Sequence, residues 1–352
     1  MKNKKMSLRG AARRSNLAMI AASCFALLAM TPSVKAEEFQ YGKNTLRLTA
    51  KGSAGVINED NFSDFLLRAQ ASRLMPNKWN VGAIYSIDRD ALDRKYKAKD
   101  AFLYAETEWG RLESGWTESI ASKLALTLPD VGGTRLDRAP FFHRGDFVGI
   151  TDSAASGNRY AWRMNMATLP TRPFQFGFGR TIGTPDGFNE STDFGIRYRN
   201  TGGRTKTSAS FGFSYMSRLR DMIDDAYLPP ASARARYQGA FGLNVQTGSI
   251  MLAAVAKAVL DERPAAARSD GLQLGGGASY DFLAWSASAN YIFSNVGIFS
   301  GAENLPSHTG VLSARYKITR HFNIWASGGA VIAEKRDPTM NYFLSGGLGI
   351  AF

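Results

Sequence analysis

The sequence predicts an all-β chain: a transmembrane antiparallel β-barrel of sixteen strands with short turns at one end and long loops at the other. Three observations predict it. Segments of about ten residues alternate apolar and polar side chains between turn residues, as expected of strands with one face on lipid and the other on water. The connections between these segments alternate in length, short then long. After residue 36 no apolar run reaches the ~18 residues that a membrane helix needs.

Residues 1–36 read as a cleaved export signal. Lys2, Lys4, Lys5, Arg9, Arg13 and Arg14 open the chain without an acid, and an apolar run follows at 17–30. Val34-Lys35-Ala36 places small residues where a signal peptidase reads. Arg13-Arg14 admits a twin-arginine signal and Ala22-Ser23-Cys24 a lipid-attachment box, but the sequence after the pair and the position of Cys24 inside the apolar run favour plain export. Cys24, the one cysteine, leaves with the signal, so disulfide chemistry is excluded. Seven of the basic residues behind the formal charge of +13 also lie there, leaving +6 for residues 37–352. That removes the main argument for a nucleic-acid partner.

The strands follow in order. Residues 45–53 set Leu46, Leu48 and Ala50 against Arg47, Thr49 and Lys51. Residues 64–74 set Phe65, Leu67, Ala69 and Ala71 against Arg68, Gln70 and Ser72, and 79–88 set Val81, Ala83, Tyr85 and Ile87 against Asn80, Gly82 and Ser86. Residues 100–108 and 111–117 form a hairpin around Trp109-Gly110. Beyond a long loop, 159–166 set Tyr160, Trp162 and Met164 against Arg163 and Asn165; 174–180, 193–199 and 207–216 alternate aromatic residues with glycine, serine or arginine. Strands at 237–246, 250–260, 272–282, 285–293, 308–318, 322–332 and 342–352 complete the sixteen. Residues 250–260 are apolar on both faces except Lys257, so a buried helix competes there. Gly275-Gly276-Gly277 lies within a strand and reads as room for a neighbour, not a nucleotide loop. A soluble β-sandwich would not sort its turns by length so regularly, and in lipid the sheet must close.

The loop at 118–157 is by far the longest. It carries Glu118, Asp130, Asp137, Asp146 and Asp152 beside Lys123, Arg135, Arg138, His143 and Arg144. Loops of this length are uncommon unless functional; the expected place for it is inside the barrel, narrowing the lumen, and an ordinary surface excursion is the alternative. Opposed charges there would set a field across the narrow point: acids on the loop, bases on the wall. Arg47, Lys51, Arg68 and Arg163 are the wall candidates, all on polar strand faces.

Several features resemble the general bacterial porins of the Gram-negative outer membrane. Phe352 ends the chain, with Ile350, Leu348, Leu344 and Tyr342 on its face, similar to the family's barrel-insertion signal. Glu106-Thr107-Glu108-Trp109-Gly110-Arg111-Leu112 resembles the hairpin before the family's third loop, and the third long loop is the longest. Pro129-Asp130-Val131-Gly132-Gly133 resembles the Pro-Glu-Phe-Gly-Gly turn of the porin constriction, with two of five positions changed. The resemblance covers residues 37–352. It implies an outer-membrane location, contact with lipid and lipopolysaccharide, a homotrimer, and Asp130, Asp137, Asp146 and Glu118 as constriction acids.

The function expected is a water-filled channel for passive diffusion of small hydrophilic solutes and ions, with a lean towards anions. A substrate-selective channel for sugars or anions is the alternative, using lumen aromatics such as Phe102 and Tyr104 unless these pack on the loop. A structural adhesin with a closed lumen is a third reading. A hydrolase is disfavoured: His143, His308 and His321 are the only histidines, without a nucleophile motif. No metal, cofactor or phosphate-cradling motif is present in the sequence.

Overall fold

A computed structural model describes residues 37–57, 60–89, 96–132, 162–171, 173–183, 190–217, 222–223, 226–227, 235–262, 271–295, 306–333 and 339–351. The signal segment and the loop acids Asp137 and Asp146 lie outside these residues, as does Phe352. The strands are β1 (Glu37–Tyr41), β2 (Asn44–Ile57), β3 (Asp60–Leu74), β4 (Asn80–Arg89), β5 (Tyr96–Glu106) and β6 (Arg111–Trp116). After a short helix α1 (Ile120–Leu124) come β7 (Trp162–Ala167), β8 (Phe174–Gly183), β9 (Glu190–Asn200) and β10 (Thr205–Ser217). A two-residue ladder, β11 (Met222–Ile223) with β12 (Ala226–Tyr227), stands apart. The rest are β13 (Ala235–Thr247), β14 (Ile250–Asp261), β15 (Gly271–Phe282), β16 (Trp285–Ser294), β17 (Ser307–Lys317), β18 (Phe322–Ala333) and β19 (Thr339–Ala351).

Strands β2 to β10 and β13 to β19 form the wall. Each pairs antiparallel with its sequence neighbour, and β19 returns to β2 through the register Ser345↔Ile57 to Ala351↔Lys51. The wall is a closed antiparallel barrel of sixteen strands, matching the sixteen read from the sequence. Closure leaves no row of unpaired backbone groups at the seam. The segment 250–260, ambiguous in the sequence, is a strand: β14 pairs with β13 and β15 along nearly its full length.

One strand was not expected. β1 turns back through Gly42 (φ +59) and pairs with the first residues of β2, Glu37↔Leu48 to Tyr41↔Asn44. It occupies the part of the β2 edge that β19 does not reach.

The two faces differ as period-2 patterning requires. In β7, Trp162, Met164 and Met166 are exposed on the outside while Arg163 and Asn165 are buried inside. In β8, Phe174, Phe176 and Phe178 project outward and Gln175 and Thr181 inward. Leu103, Leu252, Leu312 and Leu344 are all more than half exposed on the outer face. A continuous apolar outer surface of this kind suits hydrocarbon, not water. Aromatic pairs flank this band. Phe174–Tyr198 and Trp285–Tyr316 (each 4.8 Å between ring centroids) lie towards the short turns, and Tyr215–Tyr237 (5.2 Å) and Phe293–His308 (5.4 Å) towards the long loops. These are the positions of the two interfacial girdles of a membrane barrel.

Candidate functional site: a loop bound to the inner wall

The first described residues of the long loop do not float in the lumen. Ser119 caps α1, its hydroxyl accepting from the Ser122 N–H at 3.1 Å. After α1 the chain is extended, and Leu124, Leu126 and Leu128 are buried while Thr127 is exposed. This period-2 run is visible in the sequence as Leu-Ala-Leu-Thr-Leu, five residues within a segment read as loop.

The leucine face lies on glycines. A Cβ at Gly177 of β8 would stand 2.2 Å from Ile120 Cγ1, and one at Gly195 of β9 would stand 3.1 Å from Leu124 Cδ1. At Gly242 of β13 it would stand 2.8 Å from Leu126 Cβ, and at Gly275 of β15 2.9 Å from Leu128 Cδ1. Gly277 makes similar room for Pro129. Gly275 and Gly277 of the triple glycine thus serve as space for the loop, whereas a Cβ at Gly276 meets nothing within 4 Å. Leu128 also packs with Ala253, Val255 and Ile292 in a small apolar core inside the barrel. That core explains why β14 is apolar on both faces: its outer face meets lipid and its inner face meets the loop.

Polar side chains of the wall hold the loop backbone. Asp193 Oδ1 accepts from the N–H groups of Ile120 (2.7 Å) and Ala121 (3.1 Å), and its Oδ2 accepts from Arg163 at 2.6 Å. Arg163 also donates to Ser191 Oγ at 2.5 Å. Asn165 donates to the Glu118 carbonyl (2.8 Å), and the Leu126 N–H donates to Ser210 Oγ (3.0 Å). Asn290 donates to the Pro129 carbonyl at 2.7 Å, and Val131 N–H to Ser288 Oγ at 3.3 Å. The segment therefore follows the inner wall from β8 as far as β16, and Gly132 reaches Ser313 and Ser327 on β17 and β18.

A second network ties α1 to β3–β6. Lys123 pairs with Glu113 and donates to Thr117 Oγ1 (2.6 Å). Glu113 also pairs with Arg111 (3.1 Å), whose guanidinium lies over the Tyr104 ring at 4.1 Å. Tyr104 accepts from Gln70 at 2.9 Å, and Lys123 stands over Phe102 at 4.9 Å. Phe102 and Tyr104 are thus buried packing groups with Ile84, not a free aromatic lining.

The expected site residues separate accordingly. Arg47 and Lys51 are exposed on the inward row of β2, and Arg68 is half-buried on that of β3, between Thr49 and Ser86 in register. Arg163 departs from expectation: it faces inward but is 1 % exposed, covered by the loop and paired with Asp193. Nothing in the sequence distinguished it from an arginine on a wet wall. Asp130 is half-buried, and its Oδ1 accepts from the Gly132 N–H at 2.8 Å, a local turn typical of aspartate. Glu118 is half-buried and is anchored through its carbonyl. At the chain end, Tyr342 and Leu344 are exposed on the outer row, whereas Ile350 on the same row is 5 % exposed, opposite Phe322. Asp193, which the sequence reading passed over, receives more of the loop than any residue it named. Its partners lie 72 and 73 positions away, beyond the reach of any local pattern.

A closed sixteen-strand wall with the described start of its long loop bound inside decides the architecture. The chain has the porin fold. Solved structures agree. A porin refined at 1.8 Å resolution superposes with a TM-score of 0.61 at 14 % identity, covering 87 % of this chain and 100 % of the other. OmpF of Salmonella typhi, in complex with daunomycin, gives 0.62 at 14 % identity, covering 90 % and 100 %. An anion-selective porin from Comamonas acidovorans gives 0.60 at 12 %, covering 88 % and 100 %. No family model and no curated protein sequence matches the chain. The porin fold here is thus retained with little sequence in common, which is possible because period-2 patterning and closure, not particular side chains, specify a barrel.

Proposed function

We propose that this chain is an outer-membrane channel that lets small hydrophilic solutes and ions diffuse passively through a water-filled lumen. The observation that carries the reading is residues 118–132 of the long loop pinned against the inner wall of a closed sixteen-strand barrel. Sixteen strands enclose an interior too wide for wall side chains to fill, and a loop held on one side leaves room beside it. Similar solved structures are described as porins and as an outer-membrane channel, which supports the same location. Residues 1–36 would direct export, Phe352 with its outer row would mark the chain for barrel assembly, and the partners would be lipid, lipopolysaccharide and two further copies of the chain. The constriction would be set by the loop acids Asp130, Asp137, Asp146 and Glu118 facing Arg47, Lys51 and Arg68. Passive diffusion is favoured over selective sugar transport because Phe102 and Tyr104 are engaged by Arg111, Lys123 and Gln70. Purified, folded protein added to a planar bilayer should give stepwise conductance. A folded barrel that inserts without conducting would overturn the reading in favour of a closed-lumen role.

A further inference from the structure

Some inward arginines have an acid at hand. Arg111 pairs with Glu106 and Glu113, and Arg163 with Asp193. Arg315 donates to Ser286, which donates in turn to Asp281. Arg197 and Arg199 of β9 differ. They stand on the same inward face, two residues and so roughly 7 Å apart, with no carboxylate partner among the described residues. Register places Gln175 and Ser210 beside Arg197, and Ser208 beside Arg199. Lys206, exposed on the inward row of β10, adds a third cation towards the short turns. The nearest acid along the strand is Asp193, whose two oxygens are already taken by Arg163 and the α1 backbone. Both arginines are half-buried, and the Nε of each is buried with no hydrogen-bond partner.

Like charges placed side by side with unused donors are unfavourable unless something negative joins them. The guanidinium fork suits a planar or tetrahedral oxyanion, which it can bind through two parallel hydrogen bonds. Position matters too. Gly195, the next inward residue of β9, touches Leu124 of the loop, so the pair lies directly on the short-turn side of the loop. A solute that has passed the loop meets it next.

We propose that Arg197 and Arg199, with Lys206 beside them, form a binding site for oxyanions, whether phosphate-like or carboxylate-bearing, on the short-turn side of the loop. This rests on the channel reading above. It makes β9 a transient stopping place that favours oxyanions over halides of equal charge.

The test uses the whole folded protein in planar bilayers, with chloride as the current carrier and inorganic phosphate as the probe. Wild-type current should fall saturably as phosphate is added. Arg197→Gln/Arg199→Gln should raise the half-blocking concentration about tenfold or more, as expected for losing charge-assisted hydrogen bonds. Arg197→Lys/Arg199→Lys, which keeps charge but loses the fork, should fall between, and a small dicarboxylate should reproduce the pattern. Arg315→Gln/Lys317→Gln removes the same charge from the same mouth and should leave the half-blocking concentration within about twofold. Equal block in the Arg197/Arg199 glutamine variant and wild type, or a block that never saturates, would overturn the site while leaving the channel standing. A wild-type barrel that passes no chloride would instead overturn the channel reading and this site with it.

Discussion

Asp193→Ala should release the start of the loop without opening the barrel. The Arg163–Asp193 pair is shielded almost completely, with side-chain exposures of 2 % and 0 %. Removing one member of such a pair strands the other charge in a dry site, at a cost of roughly 3–5 kcal/mol. The N–H groups of Ile120 and Ala121 lose their acceptor at the same time. The β9 backbone keeps its ladder to β8 and β10, so the loss falls mainly on the docking of α1. Lys123, held by Glu113 and Thr117, is a trypsin site inside this docked segment. If local opening controls cleavage, a loss of about 3 kcal/mol should speed cutting at Lys123 about a hundredfold. The assay is limited trypsin digestion of detergent-folded protein, with heat-shifted electrophoretic mobility to verify the barrel. Arg163→Met with Asp193→Asn removes both charges and keeps an acceptor for the α1 backbone. Replacing a buried pair by uncharged groups is often neutral, so this double variant should cut at close to the wild-type rate. An Asp193→Ala barrel that is folded and as resistant as wild type would refute the pinning argument.

Three further outcomes test separate parts of the structure. Gly242→Val places its Cβ against Leu126 Cβ and Ser210 Oγ, breaks the Leu126–Ser210 hydrogen bond and costs about 1–3 kcal/mol by overpacking. It should push the loop into the lumen and lower single-channel conductance, whereas Gly239→Ala, which meets nothing within 4 Å, should not. Leu312→Arg, on an outward residue 67 % exposed at the middle of β17, should cost roughly 2–4 kcal/mol of barrel stability in lipid, read by denaturant titration in vesicles, with the selectivity of surviving channels unchanged. Arg47→Glu with Arg68→Glu should leave the barrel folded and move the reversal potential across a salt gradient towards cation preference; an unchanged potential would remove both from the pore wall.

The barrel is legible in the order of the residues alone. Sixteen strands, their order and the end at which most long connections fall were legible, because a strand between lipid and water writes its two faces into every second residue. The first connection departs, since β2 runs to Ile57 and β3 starts at Asp60, closer together than the end of β3 and the start of β4. Residues such as Trp162 or Met164 read as lying opposite Arg163 and Asn165, and they face outward. The sequence did not show β1, a five-residue segment whose place depends on how far β19 reaches along β2. Nor did it show what lies on the inner face. A polar side chain facing bulk water and one gripping a buried loop occupy the same phase of the same pattern, so Arg163 looked like Arg47. Gly275 read as room for a neighbour, but nothing local said that the neighbour is Leu128, or that Gly177 and Gly242 make room for Ile120 and Leu126. Those contacts join residues far apart in sequence across many strands, and only closure of the sheet brings them together. Face is a local property of the chain, whereas solvent exposure on the inner face is decided by the path of one loop across the whole wall.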